Sequence, residues 1–346
     1  MTDRKIERPW MFESQSRVST LSTANRLRSD AAKTPALAPL RTMVRNTSVD
    51  ALEKSAAARA AIFESLKKID PGTREFSFTD KDFERVRELI HRHAGISLSA
   101  LKQDMVYSRL SRRLRARGER RFSDYLDKLE RHSDPAELEE FVNALTTNLT
   151  SFFREAHHFD TLRDVLRRSG GKRQFNIWCC ASSTGEEAYS IAMTACEAFC
   201  SLTPPVKIIA SDLDTKVLAH GERGVYSADR VERLSADRIQ KYFIRNSTDP
   251  HGAVSARPEL KRLLNFRRVN LLEPNWPVSE NGLFDVIFCR NVMIYFDKSV
   301  QYGILKRFTP LLRPDGLLFA GHSENFMHAA DLFRSLGKTV YARVTS

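Results

Sequence analysis

Long hydrophobic runs are missing from this 346-residue sequence: no apolar segment approaches the ~20 residues that span a bilayer. The first twelve residues carry charges and a proline where a secretory signal has its apolar segment. Cysteine is scarce and odd in number, at five, and no CxxC pair or Cys/His spacing typical of a zinc site occurs. We therefore expect a cytoplasmic protein with no membrane insertion, no disulfide framework and no bound metal.

Acidic residues are outnumbered, with 43 Asp and Glu against 55 Lys and Arg, which makes the net charge +12. This excess favours an acidic partner. The partner could be nucleic acid, an anionic membrane surface or an acidic protein, and the charge alone does not choose among them. Hydrophobic residues at 42% and charged residues at 28% are typical of a globular protein. At roughly 150 residues per domain, the length predicts two domains and some spare chain.

The chain is predicted to fall into three parts. Residues 1–72 begin with a mixture of Ser, Thr, Arg, Ala and Pro and are expected to form a flexible extension, with a helix over 49–69. Residues 73–150 repeat apolar positions at helical spacing, which predicts a small all-helical domain. In residues 151–346, apolar runs typical of buried strands alternate with helical segments, which predicts an α/β fold with a doubly wound sheet. Polar residues interrupt this alternation at about 226–264, where we expect an inserted subdomain.

Three helix boundaries are predicted from capping residues and periodicity. Ser123 is expected to cap the third helix of the all-helical domain. The fourth helix is expected over 137–149, and a helix of the α/β domain over 298–312.

The second helix of the all-helical domain carries four arginines at or next to a four-residue spacing. We call them the arginine stripe: Arg109, Arg112, Arg113 and Arg117. Asp104 and Glu119 are the only acids nearby in the sequence, so we expect the stripe not to be neutralised within the protein. It is either a solvated face, as most charge runs are, or a docking surface for an acidic partner.

Polar residues follow three of the predicted strands. Residues 181–187, which we call the glutamate loop, come directly after the first strand of the α/β domain. Asp212 ends the next strand, and Arg290 and Asn291 follow the strand predicted over 284–289. Ligands of doubly wound sheets bind at the carboxyl ends of the strands, where the strand order reverses. We therefore expect these residues to line one site.

The glutamate loop does not have the composition of a dinucleotide-binding loop. It contains one glycine and places Glu186 and Glu187 where a pyrophosphate would lie, and two carboxylates there would repel it. Carboxylates suit a cationic cofactor such as S-adenosylmethionine, which carries an ammonium and a sulfonium. Asp212 could then accept hydrogen bonds from ribose hydroxyls, because an ionised carboxylate is only an acceptor. The alternative is that both glutamates merely begin a helix and favour its dipole.

Residues 148–154, Asn-Leu-Thr-Ser-Phe-Phe-Arg, resemble the signature of the CheR family, the chemotaxis receptor methyltransferases. Further blocks match the family in the same order, at 182–187, 211–214, 269–272, 289–296 and 321–326. The resemblance covers about residues 76 to 345. It implies a class I S-adenosylmethionine-dependent methyltransferase domain, preceded by a helical domain and interrupted by a small antiparallel β-subdomain. The implied activity is methyl transfer to glutamate side chains of chemoreceptor cytoplasmic helices.

The resemblance also implies which residues contact the cofactor. They are Asn148, Thr150, Arg154, Glu186, Asp212, Asn270, Leu271, Arg290 and Asn291. By this resemblance Glu186 faces the amino end of S-adenosylmethionine, Asp212 its ribose, and Asn270 and Leu271 its adenine. Arg154 lies near the reacting methyl and is the predicted catalytic residue. Whether Glu187 or Asp214 shares these contacts stays open at this point.

The implied partner is the acidic helical bundle of chemoreceptors, which the arginine stripe would dock. In part of the family the β-subdomain binds a receptor C-terminal peptide through a glycine-containing turn, and residues 245–252 match that turn with one glycine. We expect a monomer that does not bind nucleic acid. Two alternatives stay open: an RNA methyltransferase, which the basic charge favours, and a non-catalytic cofactor-binding scaffold in a signalling complex.

Overall fold

The computed structural model describes residues 74–131, 134–245, 252–278 and 282–344. The extension expected over 1–72, with its helix over 49–69, lies outside the described residues. Among the described helices, none is long and apolar enough to cross a membrane.

Four α-helices pack together in the first part of the described chain. They are α1 Asp80–Ala94, α2 Gln103–Arg117, α3 Phe122–Glu130 and α4 Pro135–Leu145. Helix α1 begins with a capping box, in which Thr79 Oγ1 accepts a hydrogen bond from the Asp82 N–H and the Asp82 carboxylate accepts one from the Thr79 N–H. It ends at Gly95, whose φ of 66° is the left-handed conformation that favours glycine. Val86 and Leu110 are fully buried in the shared core.

The rest of the described chain alternates strands and helices. The strands are β1 Phe175–Cys179, β2 Val206–Asp212, β3 Val225–Tyr226, β4 Phe243–Arg245, β5 Val254–Ala256, β6 Leu264–Arg268, β7 Phe284–Phe288, β8 Leu312–Phe319, β9 Phe333–Gly337 and β10 Val340–Arg343. The helices are α5 His157–Ser169, α6 Glu186–Ala198, α7 Thr215–Arg223, α8 Ala228–Val231, α9 Ala236–Tyr242, α10 Pro258–Lys261 and α11 Lys298–Phe308.

Seven strands form one sheet in the order β6-β2-β1-β7-β8-β10-β9. The first five run parallel, and β10 is antiparallel to both of its neighbours. Strand β1 lies between β2 and β7, so the chain order reverses at β1. On β1, Ile177 and Cys179 join the core that contains α5 and α6, while Trp178, and Cys180 directly after the strand, join the core that contains α11. This alternation covers both faces of the sheet and confirms the doubly wound α/β fold.

A second, three-stranded antiparallel sheet lies between α7 and β6 in the chain, with the order β3-β5-β4. It confirms that a small β-subdomain interrupts the α/β alternation. Strand β6 already belongs to the main sheet, so the inserted segment ends before Leu264.

Two helix boundaries in the all-helical part differ from those predicted. Helix α3 begins at Phe122 with Arg121 at the capping position, so Ser123 does not cap it. Helix α4 is capped by Asp134, whose carboxylate accepts from the Glu137 N–H, and it ends at Leu145 rather than at 149. The backbone beyond Leu145 is extended, which turns the following segment towards the sheet.

The prediction of a helix over 298–312 is wrong at its carboxyl end. Helix α11 ends at Phe308. Thr309 keeps helical backbone, but Pro310 has no N–H with which to donate the next helical hydrogen bond. Leu312 begins β8 instead, pairing with Phe284 of β7. Helix α5 and the antiparallel strands β9 and β10 were not predicted from the sequence.

Candidate active site

A cavity lies at the carboxyl ends of β1, β2 and β7. The all-helical part contributes Ala94, Ile96 and Thr146 to its wall. Eight of the cofactor residues expected from the resemblance also line it: Asn148, Thr150, Arg154, Asp212, Asn270, Leu271, Arg290 and Asn291. The fold therefore brings residues from distant parts of the chain to one edge of the sheet, as expected for the point at which strand order reverses.

Asp212 ends β2 at the floor of this cavity. Its two carboxylate oxygens accept hydrogen bonds from the Ser183 N–H at 2.8 Å and the Asp214 N–H at 3.1 Å. Burial raises the pKa of Asp212 to about 6, against the lowering effect of these hydrogen bonds. Each oxygen retains a lone pair, so Asp212 can accept further hydrogen bonds from a ligand with hydroxyl groups.

Glu187 and Arg290 form a buried ion pair in the cavity wall. Arg290 Nη1 lies 2.5 Å from Glu187 Oε2, and the Arg290 side chain has no solvent exposure. Arg290 Nη2 donates a hydrogen bond to the backbone carbonyl of Arg154 at 2.6 Å and lies 3.3 Å from Glu155 Oε2. Arg290 thus joins the strand end of β7 to the glutamate loop and to the segment that carries Arg154.

The structure corrects the placement of Glu186. Its side chain is 1% exposed and lies 2.6 Å from Arg230 Nη2 of the β-subdomain, away from the cavity lining. Glu186 and Glu187 are successive residues in the first turn of α6, so their side chains point about 100° apart and only one can face the cavity. The carboxylate of the glutamate loop that faces the cavity is that of Glu187.

The segment at 148–155 follows α4 and runs along the cavity. The side-chain amide of Asn148 donates to Asp214 Oδ2 at 3.1 Å, and the backbone carbonyl of Asn148 accepts from the Ser183 hydroxyl at 3.1 Å. Phe153 and Glu155 have left-handed backbone, with φ of 52° and 58°. Such residues cost of order 1–3 kcal/mol each and persist where the surroundings hold them, typically at active sites.

Asn270 and Leu271 follow β6 at another side of the cavity. The Asn270 side chain accepts from the Leu272 N–H at 3.0 Å and donates to the His93 carbonyl at 3.2 Å. The second contact ties α1 to the edge of the sheet. A further backbone hydrogen bond, from the Ser97 N–H to the Tyr295 carbonyl at 2.8 Å, closes the same junction.

Asn291 adopts a left-handed backbone, with φ of 58°, directly after Arg290. Glu324 holds this turn, because its buried carboxylate accepts hydrogen bonds from the N–H groups of Asn291, Met293 and Gly321. Burial raises the pKa of Glu324, and these hydrogen bonds oppose the rise. A Cβ on Gly321 would lie 2.3 Å from Asn291 Nδ2 and 3.0 Å from the Asn291 backbone nitrogen, so a larger residue would displace Asn291.

Sequence reasoning gave no role to Glu324 or to Tyr295, which also lines the cavity. Both residues lie inside blocks that resemble the CheR family, 321–326 and 289–296, and this resemblance could have indicated a role for them. Glu324 does not follow a strand that opens into the cavity, and it binds backbone groups behind the cavity rather than a ligand within it, so its position in the sequence does not indicate this role.

Two family models match the chain in succession. One, described as "CheR methyltransferase, all-alpha domain", matches residues 81–146, and the other, "CheR methyltransferase, SAM binding domain", matches residues 148–342. The chain belongs to the CheR methyltransferase family. The matched domain and the cavity identify a methyltransferase whose cofactor is S-adenosylmethionine.

Curated relatives of this CheR-family chain support the assignment. The chain is 52% identical to "Chemotaxis protein methyltransferase 2" of Pseudomonas aeruginosa, over 78% of this chain and 96% of the relative. It is 50% identical to "Chemotaxis protein methyltransferase" of Salmonella typhimurium, over 78% of this chain and 92% of the relative. These relatives favour the chemotaxis interpretation over both alternatives weighed from the sequence.

The cavity of this CheR-family chain has donors and acceptors that fit the cofactor. Glu187 offers a carboxylate for an ammonium, and Asp212 offers one for ribose hydroxyls. Leu271 and Val269 add apolar surface, as a purine ring requires. When bound, S-adenosylmethionine supplies an electrophilic methyl group on a sulfonium.

The expectation that the arginine stripe lacks acidic neighbours is wrong. Arg113 pairs with Glu137 at 2.6 Å and Glu140 at 3.2 Å, and Arg117 pairs with Asp134 at 2.9 Å. These acids belong to α4 and its cap, which pack beside α2 but lie 17 to 27 positions away in the chain.

Arg109 is also engaged within the protein. It donates hydrogen bonds to the Thr146 carbonyl at 2.5 Å and the Thr147 hydroxyl at 2.9 Å, next to the cavity. Arg112 is exposed to solvent. The stripe is therefore a mixture of structural and exposed arginines, and its docking role stays a prediction.

Glu155, His157 and His158 bring one ligand atom each within 4.8 Å of one another. Glu155 is already bound by His322 Nδ1 at 3.0 Å and lies beside Arg290. Burial acts to raise the pKa of Glu155, but the hydrogen bond from His322 and the charge of Arg290 lower it to about 2. Glu155 is thus a carboxylate held by a hydrogen bond from His322 and by the charge of Arg290, and the sequence-based prediction of no metal site stays a prediction.

Proposed function

We propose that this chain transfers a methyl group from S-adenosylmethionine to glutamate side chains on the cytoplasmic helices of chemoreceptors. The products would be glutamate methyl esters and S-adenosylhomocysteine, and the role would be sensory adaptation in chemotaxis. The proposal is supported above all by relatives named chemotaxis protein methyltransferases, which align over 78% of this chain. It places the protein in the cytoplasm as a monomer.

The chemistry of a carboxylate acceptor suits the cavity. A glutamate with an ordinary pKa of about 4.3 is already an anion at neutral pH, so it needs no general base to attack the methyl. The protein must align the attacking oxygen with the methyl and the sulfur and keep water away. Alignment of this kind can lower a barrier by roughly 7–11 kcal/mol.

Arg154 is the proposed catalytic residue. Arg154 lines the cavity, and its Nη1 donates to the Leu149 carbonyl at 3.1 Å. Its backbone is held by Arg290 through the 2.6 Å hydrogen bond to the Arg154 carbonyl. A cation at this place can bind and orient an incoming carboxylate. Glu187 and Asp212 are proposed to bind the amino group and the ribose, and Asn270 and Leu271 the adenine side. Asn148, Thr150 and Asn291 complete the proposed contacts.

Receptor docking is proposed to use the exposed part of the arginine stripe. Arg112 is solvent-exposed and the side chain of Arg117 is 44% exposed, so both are accessible to acidic receptor helices. Arg113 would act mainly by holding α2 against α4, and Arg109 by holding α2 against residues 146–147, next to the cavity. Nucleic acid is not among the proposed partners.

A receptor tail peptide is a second proposed contact. Strand β4 is an edge of the small sheet, and Ile244 on it is 46% exposed. An extended peptide could add to such an edge through main-chain hydrogen bonds. The turn expected at 245–252 lies largely outside the described residues. Failure of a receptor tail peptide to bind at millimolar concentration would count against this contact.

The test of the main proposal uses the full chain, radiolabelled S-adenosylmethionine and membranes that contain chemoreceptors. We expect label on the receptor that is released by mild base, as methyl esters are. Receptors whose methylatable glutamates are replaced by alanine are the matched control and should stay unlabelled. Cofactor binding without receptor label would favour the scaffold, and label on added RNA would favour the RNA methyltransferase.

A further inference from the structure

Arg230, in α8 of the β-subdomain, reaches out of its subdomain to the glutamate loop. Its Nη2 lies 2.6 Å from Glu186 Oε1 and 3.4 Å from the Thr184 hydroxyl, and its Nη1 lies 3.4 Å from the Thr150 carbonyl. The approach to Glu186 is off the ideal hydrogen-bond direction, so the pairing is mainly ionic. One guanidinium therefore contacts two of the chain segments that border the cofactor cavity.

Glu186 depends on this partner. Its side chain is 1% exposed, and its other oxygen is bound by the Thr184 hydroxyl at 2.6 Å. A carboxylate this deeply buried is costly unless a cation stays beside it, and removal of the cation exposes the whole cost. The ion pair thus fixes the position of the first turn of α6.

The loop that Arg230 contacts has strained backbone. Ser183 and Gly185 are left-handed, with φ of 47° and 98°. The β-subdomain supports the loop a second time, because the Tyr226 hydroxyl donates to the Thr184 carbonyl at 2.8 Å. On the cavity side of the same loop, the Ser183 N–H binds Asp212.

We propose that Arg230 is a positioning residue for the cofactor site, which holds Glu186 and through it the glutamate loop in the shape that presents Ser183 and Glu187 to the cavity. The β-subdomain is then part of the cofactor site's support as well as an inserted module. This inference rests on the cofactor of the family and not on the identity of the methyl acceptor.

The first experiment measures S-adenosylhomocysteine binding to the full chain by calorimetry. Arg230→Ala should weaken the affinity by about tenfold or more, since a buried carboxylate loses its partner. Arg230→Lys should recover part of the loss. The matched control is Arg233→Ala, because Arg233 is an exposed arginine of the same subdomain, and it should bind like the wild type.

The second experiment asks whether Arg230 acts through Glu186. In a Glu186→Gln background no buried charge is left to stabilise, so adding Arg230→Ala should weaken binding by less than twofold. This double variant also keeps the test valid if Arg230→Ala alone folds poorly. Wild-type affinity in Arg230→Ala, or an equal loss in both backgrounds, would overturn the proposal. Absence of receptor methylation by the wild-type chain, with normal S-adenosylhomocysteine binding, would instead count against the proposed function and leave this inference unaffected.

Discussion

The protein uses arginine–carboxylate pairs in two regions with opposite character. In the all-helical part, Arg117 is 44% exposed beside Asp134, whereas Arg290 at the strand ends is fully buried beside Glu187. Exposed pairs contribute only about 0–1 kcal/mol, because water and salt screen them. Breaking a buried pair costs about 3–5 kcal/mol, because the remaining charge is then neither paired nor solvated by water. An exposed arginine can therefore leave its intramolecular partner to bind another carboxylate. Arg290 cannot do so without destabilising the cavity wall.

The largest expected effect comes from Arg290→Ala. It leaves Glu187 without its buried cation and removes the donor to the Arg154 carbonyl. We expect the free energy of unfolding to fall by about 3–5 kcal/mol and cofactor binding to be lost. Urea unfolding and calorimetry measure these quantities. Arg117→Ala is the control and should change the free energy of unfolding by less than about 1 kcal/mol. Equal effects of the two substitutions would contradict the distinction between the buried and the exposed pair.

Asp212→Asn is expected to weaken the cofactor affinity by about 1.5–3 kcal/mol, because a charged acceptor is lost. The same substitution removes an ionised, poorly solvated carboxylate, since burial raises the pKa of Asp212 from 3.8 to about 6. It also leaves the N–H of Ser183 or of Asp214 without an acceptor, because asparagine has one side-chain oxygen where Asp212 uses two. These two effects on stability oppose each other, so the cofactor affinity is the quantity that tests the assignment. A variant that binds the cofactor normally contradicts this account.

The pH dependence of cofactor affinity sharpens the same assignment. Only ionised Asp212 offers two acceptor oxygens, and its ionised fraction falls about tenfold between pH 7 and pH 5 if its pKa is about 6. We expect the affinity for S-adenosylhomocysteine to fall by about that factor on acidification. Asp212→Asn should lose this dependence, and a wild-type affinity that is flat from pH 7 to pH 5 would exclude the role.

The smallest effect is expected at the arginine stripe. Replacing Arg112 by Glu and Arg117 by Ala together should raise the Michaelis constant for receptor by a factor that corresponds to about 1–2 kcal/mol, with cofactor affinity unchanged. Alanine is used at Arg117 because a glutamate there would face Asp134 and Glu137. Arg115→Glu is the matched control, because Arg115 is exposed on the same helix outside the stripe and pairs with Glu75. Wild-type methylation should also slow as salt rises. Normal kinetics of the double variant at low salt would leave the stripe as a solvated face.

Reversing the whole stripe would not be a clean test. Arg109 binds the segment beside the cavity and Arg113 binds the nearly buried Glu137, so charge reversal at either position would disturb the fold. Loss of activity in such a variant would not distinguish docking from stability.

Much of the fold could be predicted from the sequence. Apolar runs that end in polar residues identified β1, β2 and β7, and strand topology then requires Asp212, Arg290 and the glutamate loop to meet at one edge of the sheet. Helix α5 was missed, and so were β9 and β10. The prediction extended helix α11 four residues past Phe308. Local periodicity does not show that Leu312 pairs with a neighbouring strand, because that pairing depends on residues far away in the sequence.

The sequence by itself determined the fold class, the position of the inserted subdomain, the cofactor and eight of the residues that line its cavity. Only the tertiary structure decided which of two adjacent glutamates faces the cavity, because a helix turns by 100° per residue and the orientation of α6 depends on what it packs against. It also decided that Arg113 and Arg117 have acidic partners, since Glu137 and Asp134 approach α2 through helix packing. The local sequence pattern specifies the helices and strands. Contacts between those elements specify the partner of each charged side chain.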